Sequence, residues 1–184
     1  LEDAFIAVED VRFREHNGID IRRMFGALIA NVKDGFGAEG ASTITQQVVK
    51  NAFLTFDKTI ERKIQEQYLA IKLEQKYSKD EILEMYLNAI YFGNGAYGVK
   101  QASIVYFNKE DLNDLTLADC ALLAGLPQRP EGYNPLRNPE GALKRRNIVL
   151  DLMAKHGKIT KKEAEEAKAV PIEEQLNPAP IKES

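Results

Sequence analysis

Helix-start signals recur along this chain of 184 residues, and no signal of comparable strength specifies a strand. Ser78 and Glu81 stand in the order of a capping box ahead of Ile82, Leu83, Tyr86, Leu87 and Ile90. In that arrangement hydroxyl and carboxylate each satisfy an orphan N–H of the first turn. Thr160 and Glu163 repeat it. Asn138 followed by Pro139 predicts an N-cap with proline at the first helical position, and Gly157 closes that helix. A further helix starts over Thr116–Asp119 and stops at Gly125. Ile60, Ile64, Tyr68 and Ile71 lay an apolar stripe along a long helix from about Thr59 to Tyr77. No run alternates apolar and polar residues over the length of a strand. The expectation is an all-α fold, one domain with one main core and room for a smaller lobe.

Three segments interrupt the helices. Residues Asp34 to Gly40 are glycine-rich and predict a mobile loop, Phe92 to Gly98 a tight connection, and Pro127 to Pro135 an ordered proline turn. Pro171, Pro178 and Pro180 mark 171–184 as a linker after a domain ending at about 170. The opening Leu1–Phe5 already reads as helix, so the chain is expected to begin inside a longer protein. The lone Cys120 lies in an apolar run and reads as a small buried hydrophobe. With 44% hydrophobic and 29% charged residues the chain is globular, and a net charge of −3 leaves no overall basic field for nucleic acid. No apolar stretch reaches the roughly 18 residues that a membrane-spanning helix needs.

Several clusters could carry chemistry. Glu9 and Asp10 end a helix beside apolar Val8 and Phe13, a setting in which a carboxylate gains proton affinity. An acidic pair at a helix end is equally a surface feature, and His16 equally a structural hydrogen-bonder. Ser42, Gln46 and Lys50 follow a glycine-rich loop at i, i+4 and i+8 of a helix capped by Ser42. A hydroxyl, an amide and a cation on one face near a helix N-terminus suit a phosphate, or form a solvated polar face. Lys58, Arg62, Lys63 and Glu66 would make a salt-bridge ladder or a pyrophosphate clamp, with Glu66 holding a metal ion or restraining a lysine. The segment Ile19 to Phe36 is an amphipathic helix with cationic flanks, facing either a core or a membrane surface.

Together these segments resemble the signatures of the peptidoglycan glycosyltransferase family, the polymerising half of class A penicillin-binding proteins and of monofunctional enzymes. Glu9 to Gly18 is similar to its E-D-x-x-F-x-x-H-x-G motif, Gly40 to Gln47 to G-x-S-T-x-T-Q-Q, and Arg62 to Glu66 to R-K-x-x-E. Lys79 to Asn88 and Arg129 to Pro135 resemble its fourth and fifth motifs, in the family's order. Ala41 departs from the pattern, where many members carry a second glycine.

The resemblance implies a lysozyme-like all-α fold over residues 1–170, with a smaller lobe over about 19–40 that dips into a membrane. It implies polymerisation of lipid II onto a lipid-linked glycan, inverting an α-linked sugar phosphate to a β-1,4 bond and releasing undecaprenyl pyrophosphate. Glu9 would be the general base and Glu66 the second acidic residue, binding metal or pyrophosphate. Ser42, Gln46, Lys50, Lys58, Arg62 and Lys63 would hold donor phosphates. Magnesium or manganese would be the cation, and a transpeptidase domain would follow the linker. The site of action would be the extracytoplasmic face of a bacterial membrane. Two rival readings are a lysozyme-like glycan-cleaving enzyme and a non-catalytic module that binds lipid or glycan.

Overall fold

The computed structural model describes residues 1–34, 40–53, 57–178 and 180, and of Lys33 and Asp34 the backbone alone. Its helices follow in the order α1 (Glu2–Glu9), α2 (Ile21–Asp34), α3 (Ile44–Phe53), α4 (Ile60–Lys76), α5 (Lys79–Ala89), α6 (Val99–Phe107), α7 (Leu117–Gly125), α8 (Pro139–Lys155), α9 (Lys161–Lys168) and α10 (Ile172–Gln175). Among the described residues the one pairing of extended backbone is an isolated bridge between Tyr91 and Tyr97. The fold is all-α, as expected. Most of the glycine-rich segment 34–40 lies outside the described residues. The chain divides into two compact units, Leu1–Val11 with Leu87–Ser184, and Arg12–Tyr86.

The first unit is organised around α7. Its residues Ala118 to Gly125 are all buried, because apart from Asp119 the helix is apolar or small on every side and has no face to give to water. Thr116 and Asp119 form a capping box at the expected helix start, and α7 packs on α8 and α1. Cys120 is buried, and burial raises its thiol above the ordinary value. Phe5 of α1 meets Phe92 edge to face at 5.9 Å between ring centroids. Asn138 caps α8 through the Gly141 N–H, with Pro139 in the first turn.

Residues after 170 do not leave this unit at once. Ile172 and Gln175 of α10 are buried, and the Asn177 N–H donates to the Tyr106 carbonyl at 2.9 Å. The reason is Arg146, wholly buried in α8. Its guanidinium donates to the carbonyls of Val170 at 2.8 Å and Lys168 at 3.0 Å, and to the Gln175 side chain. Gln175 in turn donates to the buried Asp119 at 3.0 Å, and Lys109 pairs with the other oxygen of that carboxylate at 2.6 Å. A charge out of water needs such partners, and the chain after α9 supplies them. The packed domain therefore runs beyond the expected boundary at 170.

In the second unit α3 packs along α4. The expected helix is present, and most of its apolar stripe faces outward. Ile60 is 78% exposed, and Ile64 and Tyr68 are exposed as well. The buried face is Arg62, Glu66 and Ala70, one helical turn apart, and there Gln46 of α3 and Lys63 bond the Glu66 carboxylate. The α2 helix starts at Asp20, whose carboxylate accepts from the Arg23 N–H at 3.1 Å and from Arg12 at 2.8 Å. Burial alone would raise that carboxyl; the Arg23 N–H and the Arg12 guanidinium outweigh it and hold the group below its ordinary value. Along α2, Phe25 (63%), Leu28 (60%) and Val32 (81%) are exposed, while Met24 is half-buried. Phe36 lies outside the described residues.

Arg146→Met keeps much of the volume but strands the Val170 and Lys168 carbonyls and the Gln175 side-chain oxygen. It should cost about 3 kcal/mol in urea unfolding. A loss below about 1 kcal/mol would mean that water replaces the guanidinium.

Candidate active site

The second unit brings together most of the residues singled out in the sequence. Thr43, not Ser42, caps α3: its hydroxyl accepts from the Gln46 N–H at 3.0 Å while Gln46 Oε1 accepts from the Thr43 N–H at 3.0 Å. The same hydroxyl donates to the Gly18 carbonyl at 2.6 Å, tying the second motif to the first. Both hydroxyls were available to cap. Thr43 is wholly buried and Ser42 only half-buried, so the buried hydroxyl takes the obligatory bonds.

Ser42 has a different partner. Lys63 Nζ donates to Ser42 Oγ at 2.9 Å and to Glu66 Oε1 at 2.9 Å. Gln46 Nε2 donates to the same Glu66 oxygen at 3.3 Å. Ser42, Gln46, Lys63 and Glu66 are thus one connected cluster, with the carboxylate buried and the lysine exposed. Beside it a cavity of about 400 Å³ is lined by Lys50, Asp57, Lys58, Thr59, Arg62, Lys63 and Glu66. Lys50 and Lys58 are exposed, and Arg62 is buried. The Thr59 hydroxyl accepts from the Arg62 N–H at 3.2 Å, which starts α4 at the cavity wall.

Four cations against two carboxylates line this cavity, a charge balance suited to a polyanion. The donor set is less suited to a protein-held metal. Among the described residues no group of three or more His, Cys, Asp or Glu side chains could hold one. Glu66 already accepts from Lys63 and Gln46 on one oxygen, and so fits a partner of lysine better than a ligand of magnesium or manganese.

Sequence reasoning missed Glu74. Its Oε1 accepts from Thr45 at 2.8 Å and from Lys79 at 2.6 Å, and lies 3.9 Å from His16 Nδ1. Lys79 also sits over the Phe13 ring at 4.5 Å from the centroid. First, second and fourth motifs therefore meet at one carboxylate outside all of them. The signal was present in spacing alone, since Glu74 stands two turns beyond Glu66 on the same face.

Glu9 belongs to the first unit. It is the last residue of α1, half-buried, with its Oε1 shielded from solvent. The preceding Ala4, Phe5, Ile6 and Ala7 are buried, which sets the end of α1 rigidly in the core. Wholly buried Asp10 turns the chain, its N–H donating to the Ile6 carbonyl at 3.1 Å. In the same unit Glu131 of the fifth motif accepts from the Tyr91 hydroxyl at 2.5 Å and the Asn94 N–H at 3.2 Å.

An all-α domain that carries a cavity with four cationic walls suits phosphate chemistry. A family model described as transglycosylase matches residues 1–154, and the chain belongs to that family. Penicillin-binding protein 1A/1B of Bacillus subtilis (strain 168) is 57% identical over 175 residues, 95% of this chain and 19% of the relative. Penicillin-binding protein 1A of Aquifex aeolicus (strain VF5) is 50% identical over 170 residues, 92% of this chain and 23% of the relative. The crystal structure of penicillin-binding protein 1A from Haemophilus influenzae superposes with a TM-score of 0.53 at 42% identity, covering 58% of this chain and 15% of that one. The chain thus spans about a fifth of the length of these curated relatives.

Thr43→Val removes a buried hydroxyl with two bonds and should cost about 2 kcal/mol of stability. Ser42→Ala should cost under about 0.5 kcal/mol, because its one bond is to an exposed lysine. Chemical denaturation of both variants checks the order; the reverse order would return the cap to Ser42.

Proposed function

We propose that this domain polymerises lipid II, joining the acceptor disaccharide to a growing glycan on undecaprenyl pyrophosphate. The observation that carries the reading is Lys63 bridging Ser42 and Glu66 at the mouth of a cavity walled by Lys50, Lys58 and Arg62. An enzyme that cleaves finished polymer has no pyrophosphate to hold, so these cations favour transfer over hydrolysis.

In this reaction the acceptor 4-hydroxyl loses its proton to Glu9 as its oxygen attacks the anomeric carbon from the face opposite the pyrophosphate. The bond from that carbon to the phosphate oxygen breaks, and the electron pair leaves with the pyrophosphate. Configuration inverts from α to β. Lys50, Lys58, Arg62 and Lys63 take up the charge that develops on the leaving group, and preorganised cations act most strongly there. Glu66 holds Lys63 in position. A requirement for magnesium or manganese remains part of the proposal, with any such ion brought by the pyrophosphate oxygens rather than by a protein cage.

The exposed Phe25, Leu28 and Val32 of α2, near Arg22 and Arg23, support a helix lying in a lipid surface, since side chains of this size normally avoid water. No helix among the described residues is long and apolar enough to cross a membrane. The reading puts the domain at the outer face of a bacterial membrane, within a longer protein that also carries a transpeptidase domain.

Glu9→Gln should lower the initial polymerisation rate at least about a hundredfold at every magnesium concentration, the usual scale for losing a general base. Substantial activity in this variant would remove Glu9 from that role. Glu66→Gln should lose activity in a way that added magnesium does not restore; recovery along a magnesium series would return Glu66 to metal binding. Lys50→Ala and Arg62→Ala should lower turnover more than affinity for lipid II, as expected for contacts made chiefly in the transition state. Near-normal turnover at saturating lipid II would exclude that residue from contact with the leaving group. In liposome flotation, Phe25→Ser with Leu28→Ser should release a folded domain from the vesicles, and unchanged binding would count against the lipid contact.

A further inference from the structure

The first unit carries a cavity of about 570 Å³ that the proposed reaction does not use. Such a volume is ordinary for a ligand site. Its floor is apolar: Phe107 at the end of α6, Leu117 and Ala118 at the start of α7, and Ala167 and Val170 from α9 and the turn after it. Phe107, Ala118 and Ala167 are buried, and Leu117 and Val170 half-buried. Exposed Glu163 and Glu166 of α9 and Glu174 of α10 stand around that floor. The other charged residues of the lining, Lys109 and Asp119, pair with each other at 2.6 Å. Lys162 reaches Glu166 only at 3.9 Å, through a side chain that is 85% exposed, a pair too loose to quench the rim. The rim is therefore acidic.

The walls are fixed in advance. Asp119 joins them, taking Lys109 on one oxygen at 2.6 Å and Gln175 of α10 on the other at 3.0 Å. Ser103 donates to the Lys109 carbonyl at 2.8 Å and so holds the turn after α6. Arg146 holds the carbonyls of Lys168 and Val170. The chemistry of the lining narrows the occupant. An inorganic cation would leave the apolar floor unused. A purely apolar ligand would strip water from the glutamates without replacing it. Anionic lipid headgroups and pyrophosphates are repelled by the rim, which separates this cavity from the transfer reaction. Both parts are satisfied by a peptide whose apolar side chains enter the floor and whose lysine or arginine side chains meet the rim.

We propose that this cavity is a docking site for a cationic segment of another protein, anchored by apolar side chains on Phe107, Leu117 and Val170 and by lysine or arginine on Glu166 and Glu174. The apolar anchors supply most of the affinity, while the opposite charges steer the encounter and fix the register. The chain's own net charge of −3 disfavours a second copy as the occupant. Because the walls are bonded to each other before any partner arrives, little ordering opposes binding.

The test uses short fluorescein-labelled peptides and anisotropy titration against the 184-residue chain. One peptide repeats lysine and leucine at helical spacing, a second has serine in place of leucine, and a third has glutamate in place of lysine. The lysine–leucine peptide should bind, the lysine–serine peptide at least about tenfold more weakly, and the glutamate–leucine peptide not detectably. Glu166→Lys with Glu174→Lys should weaken the lysine–leucine peptide at least about tenfold, and the milder Glu166→Gln with Glu174→Gln should weaken it by less. Val170→Ser, which makes the floor polar, should weaken it about threefold. Glu163 is left in place because it completes the cap of α9 with Thr160. Equal binding of the lysine–serine peptide, or unchanged affinity in both paired glutamate variants, would overturn the proposal. Self-association of the wild-type chain that the paired lysine variant abolishes would assign the cavity to a second copy. Binding to phosphatidylglycerol vesicles that the same variant abolishes would assign it to a lipid surface. Either result overturns the proposal as well.

Discussion

The second unit depends on how closely Gly18 approaches α4. A Cβ at Gly18 would lie 2.7 Å from the backbone carbonyl of Ala70, and the residue has φ +108, so no other amino acid fits without displacing the helix. Because Gly18 carries no side chain, its carbonyl can take the Thr43 hydroxyl at 2.6 Å. Through Thr43 the start of α3 is fixed, and with it Gln46 and the oxygen of Glu66 that Gln46 shares with Lys63. One contact of backbone against backbone thus registers three of the motifs.

The buried face of α4 is polar, and that choice has consequences. Arg62 and Glu66 occupy positions that an isolated amphipathic helix would give to Ile60 and Ile64. A buried carboxylate is costly unless bonded, and here Lys63 and Gln46 satisfy it. The apolar stripe faces outward instead, as does much of α2. The exposed isoleucines of this unit are among the observations behind the proposed lipid contact. The first unit solves a similar problem with Arg146, whose guanidinium gathers the chain after α9 and extends the packed domain through Asn177.

Much of this architecture was legible in the residues. Capping boxes at Thr116 and Thr160, the Asn138 cap and the stops at Gly125 and Gly157 lie where local chemistry predicts them, because a cap is satisfied within four residues of chain. Ser78 and Glu81 also pair, although hydroxyl and carboxylate bond each other rather than both backbone groups. The cationic residues Lys50, Lys58, Arg62 and Lys63 do line one cavity, as the ordered motifs imply. Three features were not legible: that Thr43 rather than Ser42 is the cap, that Glu74 joins three motifs, and that residues 171–177 belong to the core.

The sequence by itself determined that the chain is helical, where most helices begin and end, and which side chains were fit to hold a phosphate. These follow from interactions between residues a few positions apart. Only the tertiary structure decided which face of α4 is buried, which of two adjacent hydroxyls caps α3, and that glutamates of α9 and α10 rim one apolar cavity. Those outcomes turn on burial, and burial depends on partners far away in the chain: Gly18 for Thr43, Gln46 for Glu66 and Asp119 for Gln175.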